Sequence, residues 1–153
     1  MLLHELLRPE LIKVPLEAEK KSEAISELVD VLVQYHELPL SQRHAVVEEF
    51  AANEWAVGSG LERGIALPHI HTDRVEDVVC ALGISSRGVN FSNLDDKPST
   101  VVLLTLSPKK GLSQDLESLA GIARLIESRT LVGRLSQAKS GQEAFDILKA
   151  ESA

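Results

Sequence analysis

The chain of 153 residues carries 23 Asp and Glu against 16 Lys and Arg, a formal net charge of −7, with 44% hydrophobic and 3% aromatic residues. That length sustains one hydrophobic core without metals or disulfides, and a single cysteine, Cys80, rules out an intrachain bridge. The acidic balance and the scarcity of aromatic rings exclude a sequence-independent grip on nucleic acid, which needs clustered cations and stacking platforms.

No charged-then-apolar leader opens the chain, and no run approaches the ~20 apolar residues that span a bilayer, so direct membrane insertion is not expected and a cytoplasmic protein is. Leu2 to Leu7 reads as one or two helical turns, and Leu11 to Val14 as a short strand ended by Pro15. Glu19 to Tyr35 is the clearest helix: Ile25, Leu28, Val29 and Leu32 recur at i, i+3, i+4 and i+7, while Lys20, Lys21, Glu27 and Asp30 take the wet side. A second helix is expected after Pro39, with Ser41 as N-cap, through Val46, Val47 and Phe50 to about Ala52. Trp55, next along the chain, is read as a lid over the core.

The period then changes. Gly64 to Leu67 reads as a brief buried strand whose pairing Pro68 should end, since proline has no N–H to donate. Val78 to Ile84 and Thr100 to Leu106 are near-continuous apolar runs, the pattern of strands covered on both faces, with Gly88, Asn93 and Asp95 to Pro98 marking turns between them. Cys80 lies inside the first run and is expected to pack as a small hydrophobe. Beyond Pro108 the chain turns helical: Leu116, Leu119, Ala120 and Ala123 form an apolar stripe, and Ser140-Gly141-Gln142-Glu143 reads as a capping box ahead of Ala144, Ile147 and Leu148. Amphipathic helices around buried strands predict an α/β domain, a three-layer α/β/α sandwich with a central mixed sheet, occupying residues 1–153 as one unit.

Chemistry concentrates between Gly58 and Thr72. Three glycines, Ser59 and Arg63 supply flexible backbone, a hydroxyl and a fixed charge, the ingredients of an oxyanion or phosphoryl site, and two imidazoles, His69 and His71, follow the short strand. His69 is expected where the strand leaves the sheet, at an edge, partly exposed and close to Ser59 and Arg63. If the backbone stays extended from Pro68 to Thr72, both rings point to one side. Two imidazoles are not a metal site, and no nearby Cys or Glu has ligand spacing, so His71 is read as a tautomer-setting neighbour or an exposed ring, with no metal and no cofactor expected.

Gly64-Ile65-Ala66-Leu67-Pro68-His69 resembles the G-I-A-[IL]-P-H signature of the fructose/mannitol-type (type 2) enzyme IIA domains of the bacterial phosphoenolpyruvate:sugar phosphotransferase system, a family that includes the nitrogen-regulatory branch. Leu16-Glu17-Ala18 with Lys20 to Leu32, Gly58-Ser59, and Asp95-Asp96-Lys97-Pro98 extend the resemblance over nearly the whole chain. It implies that His69 accepts a phosphoryl group, with Ser59 preserving the hydroxyl of the family's usual threonine. It also marks two departures. Asn53 stands where many members have an active-site arginine, and Asp115, followed by Leu116, stands where they have a second histidine at the start of a helix. A carboxylate at Asp115 would repel a phosphoryl dianion and favour protonation of His69; after Ser113 it equally suits the first turn of a helix. Arg63, six residues before His69, could pair with a phosphoryl group, with Asp115 or with Glu62.

Two functions follow from the resemblance. The first is a phosphocarrier that takes a phosphoryl group on His69 from a phosphohistidine carrier protein and passes it to a sugar permease component or a regulatory target. The second is a regulatory module that keeps the fold and docking surface but has a degenerate phosphoryl site. No nucleophile-elbow motif accompanies the histidines, which counts against a serine hydrolase.

Overall fold

A computed structural model describes residues 3–53, 64–91, 97–109 and 128–151. In chain order the elements are α1 (Leu3–Leu6), a 3-10 turn (Pro9–Leu11), β1 (Ile12–Lys13), α2 (Lys21–Gln34), a second 3-10 turn (Leu40–Gln42), α3 (Arg43–Ala52), β2 (Ile65–Ala66), β3 (His69–Thr72), β4 (Val79–Val89), β5 (Ser99–Pro108), α4 (Arg129–Ser136) and α5 (Gly141–Glu151). Trp55, Asn93, Asp95, Asp96 and the stripe Leu116, Leu119, Ala120 and Ala123 lie outside the described residues.

The sheet is mixed and five-stranded, in the order β1-β4-β5-β2 with β3 also on β5. β4 and β5 run antiparallel from Val79↔Leu106 to Ile84↔Val101, whereas β1 is parallel to β4, and β2 and β3 are parallel to β5. In β5 the consecutive residues Val101, Val102, Leu103 and Leu104 are all fully buried. Successive strand residues point to opposite faces, so both faces of the sheet are covered, as a three-layer arrangement requires. Each such aliphatic side chain contributes about 1.5–3 kcal/mol on burial. α2 supplies Ala24, Ile25, Leu28, Val29, Val31 and Leu32 to the same core, and α4 supplies Leu131, Val132 and Leu135.

Three local expectations are corrected. Ser41 does not cap α3; it lies in the preceding 3-10 turn, and Gln42 holds the cap position without a side-chain bond. Gly88 is not a turn between strands. It sits inside β4, which runs on to Val89 through a bulge: the register passes from Ile84↔Val101 to Val89↔Ser99, so five steps along β4 match two along β5. Gly88 has φ 87°, and a Cβ there would fall 2.5 Å from Pro98 Cβ, so the extra residues are accommodated only by glycine.

Pro68, finally, does not end the pairing. β2 and β3 are two pieces of one edge strand, since Ile65↔Val101 and His69↔Thr105 keep a constant offset and the Pro68 carbonyl accepts from the Thr105 N–H at 3.0 Å. The missing N–H is tolerated because, among the described residues, this strand pairs with β5 alone.

Near the C-terminus the capping box forms with one shift: the Ser140 hydroxyl accepts from the Glu143 N–H at 3.1 Å, and the Glu143 carboxylate accepts from the N–H of Lys139.

Candidate functional site

The strand carrying the histidines is fixed at its start by Gly64. Its φ of 78° is a left-handed conformation, and its carbonyl accepts from both Thr100 N–H (2.8 Å) and Val101 N–H (3.0 Å), which sets β2 in register on β5. Alternation along β3 then sorts the side chains. Ile70 and Thr72 are buried at 1% and 0% exposure, while His69 is half-buried and His71 exposed on the opposite side. His69 is thus on an edge strand and partly exposed, as expected, but it opens β3 and does not leave the sheet. The backbone is extended from His69 to Thr72, so the two rings share a side: their centroids are 4.8 Å apart and the ring planes tilt by 37°.

His69 Nε2 is 2.8 Å from the hydroxyl of Ser107, which is fully buried on β5. A hydroxyl can donate to a bare ring nitrogen or accept from a protonated one, so Ser107 holds the imidazole plane in either tautomer. Beside it, Thr105 is the register partner of His69, and Thr105 Oγ1 lies 3.6 Å from Cys80 Sγ on β4. Burial, partly offset by this hydroxyl, pushes the Cys80 thiol up to about 12, so it is a packed and inert group. Neither Ser107 nor Thr105 was singled out from the sequence. The signal was available: they interrupt an apolar run two residues apart, and so lie on one face of the strand.

Asn53 caps the C-terminal end of α3, with Nδ2 donating to the Glu49 carbonyl at 2.8 Å. Ser59, Arg63 and Asp115 lie outside the described residues. Beyond His71, an open cleft of about 610 Å³ is lined by Pro39, Gln42, Glu49, Thr72, Asp73, Arg74 and Lys109. Arg74 pairs with Glu49 at 3.4 Å and bonds Gln42, and Lys109 lies 3.7 Å from Asp73. Among the described residues no three His, Cys, Asp or Glu side chains are grouped to hold a metal ion, and no helix is long and apolar enough to cross a membrane.

A half-buried imidazole on a sheet edge, with one ring nitrogen held by a buried hydroxyl, is a side chain that can serve as a nucleophile. The family model described as phosphoenolpyruvate-dependent sugar phosphotransferase system, EIIA 2, matches residues 5–151. The chain belongs to this family. It is 30% identical over 148 residues to the PTS system fructose-specific EIIABC component of Bacillus subtilis, a match covering 97% of this chain and 23% of that protein. The chain therefore spans under a quarter of that relative's length. It is 29% identical over 139 residues to the PTS system fructose-specific EIIA component of Haloferax volcanii, covering 91% of this chain and 89% of that one. Among solved structures, the nitrogen regulatory protein IIA-Ntr from Neisseria meningitidis superposes with a TM-score of 0.83 at 26% identity, over 95% of this chain and 98% of that one. The mixed sheet with its helices is the fold of this enzyme IIA family.

Proposed function

We propose that the chain is an enzyme IIA phosphocarrier of the cytoplasm, in which His69 accepts a phosphoryl group from the phosphohistidine of a small carrier protein and passes it on in sugar uptake or regulation. The observation that carries this reading is the placing of His69, half-buried at the edge strand with Nε2 held by Ser107. The P–N bond of the donor breaks as a P–N bond to His69 forms, and the electron pair of the broken bond returns to the donor ring. Such a displacement depends on positioning and charge stabilisation and needs no metal. Ser59 and Arg63 are proposed to bind the phosphoryl oxygens. The name of the Bacillus subtilis relative joins an A component to B and C components, which supports a B component as the onward acceptor.

A second reading, a regulatory module without turnover, is favoured by Asn53 and Asp115, which stand where the resemblance expects an arginine and a histidine. One experiment separates the two. The protein is incubated with labelled phosphoenolpyruvate and the general phosphotransfer proteins, and any acid-labile phosphate is mapped. The carrier reading expects label on the wild type, its loss in His69→Ala and its retention in His71→Ala. Label persisting in the His69 variant would move the acceptor role to another residue, and an unlabelled wild type would favour the regulatory module.

A further inference from the structure

We propose that His71 is a phosphoryl-contacting residue, an imidazole that meets the transferred group once His69 carries it; the inference rests on the carrier reading above. Strand alternation puts both rings on the outward side of β3, and their centroids are 4.8 Å apart with a tilt of 37°. A P–N bond lies in the plane of the His69 ring, and a second ring centred 4.8 Å from it is within reach of the phosphoryl oxygens. The bound group carries close to two negative charges near neutrality, and an imidazole is the side chain that can answer by taking up a proton there. In the balanced step the donor's P–N bond breaks, the P–N bond to His69 forms, and solvent supplies the proton that converts His71 to an imidazolium. Among the described residues, Asp73 at the end of β3 pairs with Lys109 beyond β5, and Arg74 with Glu49 of α3. An opposite charge next to the phosphoryl group favours the phosphorylated state, so His71 shifts the transfer equilibrium toward this chain.

The test measures the ratio of phosphorylated to free protein at equilibrium with the labelled carrier protein, for wild type, His71→Asn and His71→Lys. Asparagine is neutral at this exposed position and lysine is a fixed cation. The Asn variant is expected to lower the ratio about ten-fold and the Lys variant to keep it near wild type. An Asn variant with the wild-type ratio, or a Lys variant as impaired as the Asn one, overturns the proposal while leaving the carrier reading intact. A wild type that takes no label overturns both.

Discussion

At the scale of single residues, the structure transfers weight from His69 alone to the pair His69 and Ser107. The Ser107 hydroxyl is fully buried and lies 2.8 Å from Nε2, so removing it takes away a restraint on the ring and leaves no larger hole than one oxygen. Ser107→Ala is expected to cost about 1 kcal/mol of stability, as for a typical intramolecular hydrogen bond. Its effect on chemistry should be larger than on stability: phosphoryl uptake slows about ten-fold, because a ring held less firmly spends less time in line with the donor. Nitrogen-15 NMR of the imidazole should show altered tautomer populations in the variant. A variant with wild-type uptake and an unchanged imidazole spectrum would reduce Ser107 to a packing residue. His69 stood out in the sequence through the resemblance of Gly64 to His69 to the family signature, more than through the glycines, proline and short apolar run around it. Its serine partner was not, because it is 38 residues away and only the register of β3 on β5 brings the two together.

At the scale of elements, the long periodic segments were legible. The apolar spacing in α2 and the near-continuous apolar runs of β4 and β5 each have one physical explanation, burial of one helix face or of both strand faces. In two of three misreadings, those of Pro68 and Gly88, a local signal was overridden by pairing with a distant segment, and in the third by a local turn. Pro68 reads as a strand end until β5 accepts the strand on both sides of it. Ser41 reads as a cap until a 3-10 turn takes it up. Gly88 reads as a turn until its neighbours prove to be a bulge against Ser99. The last gives a clear test. Gly88→Ala places a Cβ 2.5 Å from Pro98 Cβ and 2.8 Å from its Cγ, in a backbone region with φ 87° that L residues rarely occupy. The expected loss is about 1–3 kcal/mol by chemical denaturation, with activity of the folded fraction preserved. Unchanged stability would mean that the bulge can relax. By contrast Gly133, in α4, has nothing within 4 Å of an added Cβ, so Gly133→Ala should stabilise by about 0.5–1 kcal/mol through helix propensity alone.

At the scale of the whole molecule, Cys80 reports on the integrity of the sheet. It is 1% exposed on β4, beside Thr105, and burial pushes its thiol up from 9.0 to about 12. In the unfolded chain the same thiol ionises near its ordinary value, so between about pH 9 and pH 12 the unfolded state loses a proton that the folded state keeps. Fewer protons bound to the unfolded state means that stability falls as pH rises through this window, by up to about 1.4 kcal/mol per pH unit from this one group. Below about pH 9 both states hold the proton and the contribution is complete. Cys80→Ala removes the titration at the cost of a small cavity, so the wild type should be the more stable protein at neutral pH and lose that advantage progressively in alkali. Denaturation of both proteins across the range checks this, because every other titrating group cancels in the difference. A difference that stays constant into alkali would show that the Cys80 thiol ionises without unfolding, and that the sheet around it admits water. The same burial predicts that a thiol reagent reacts with native Cys80 only as fast as the sheet opens globally, so its rate should track denaturant-dependent stability and not thiol ionisation in the folded state.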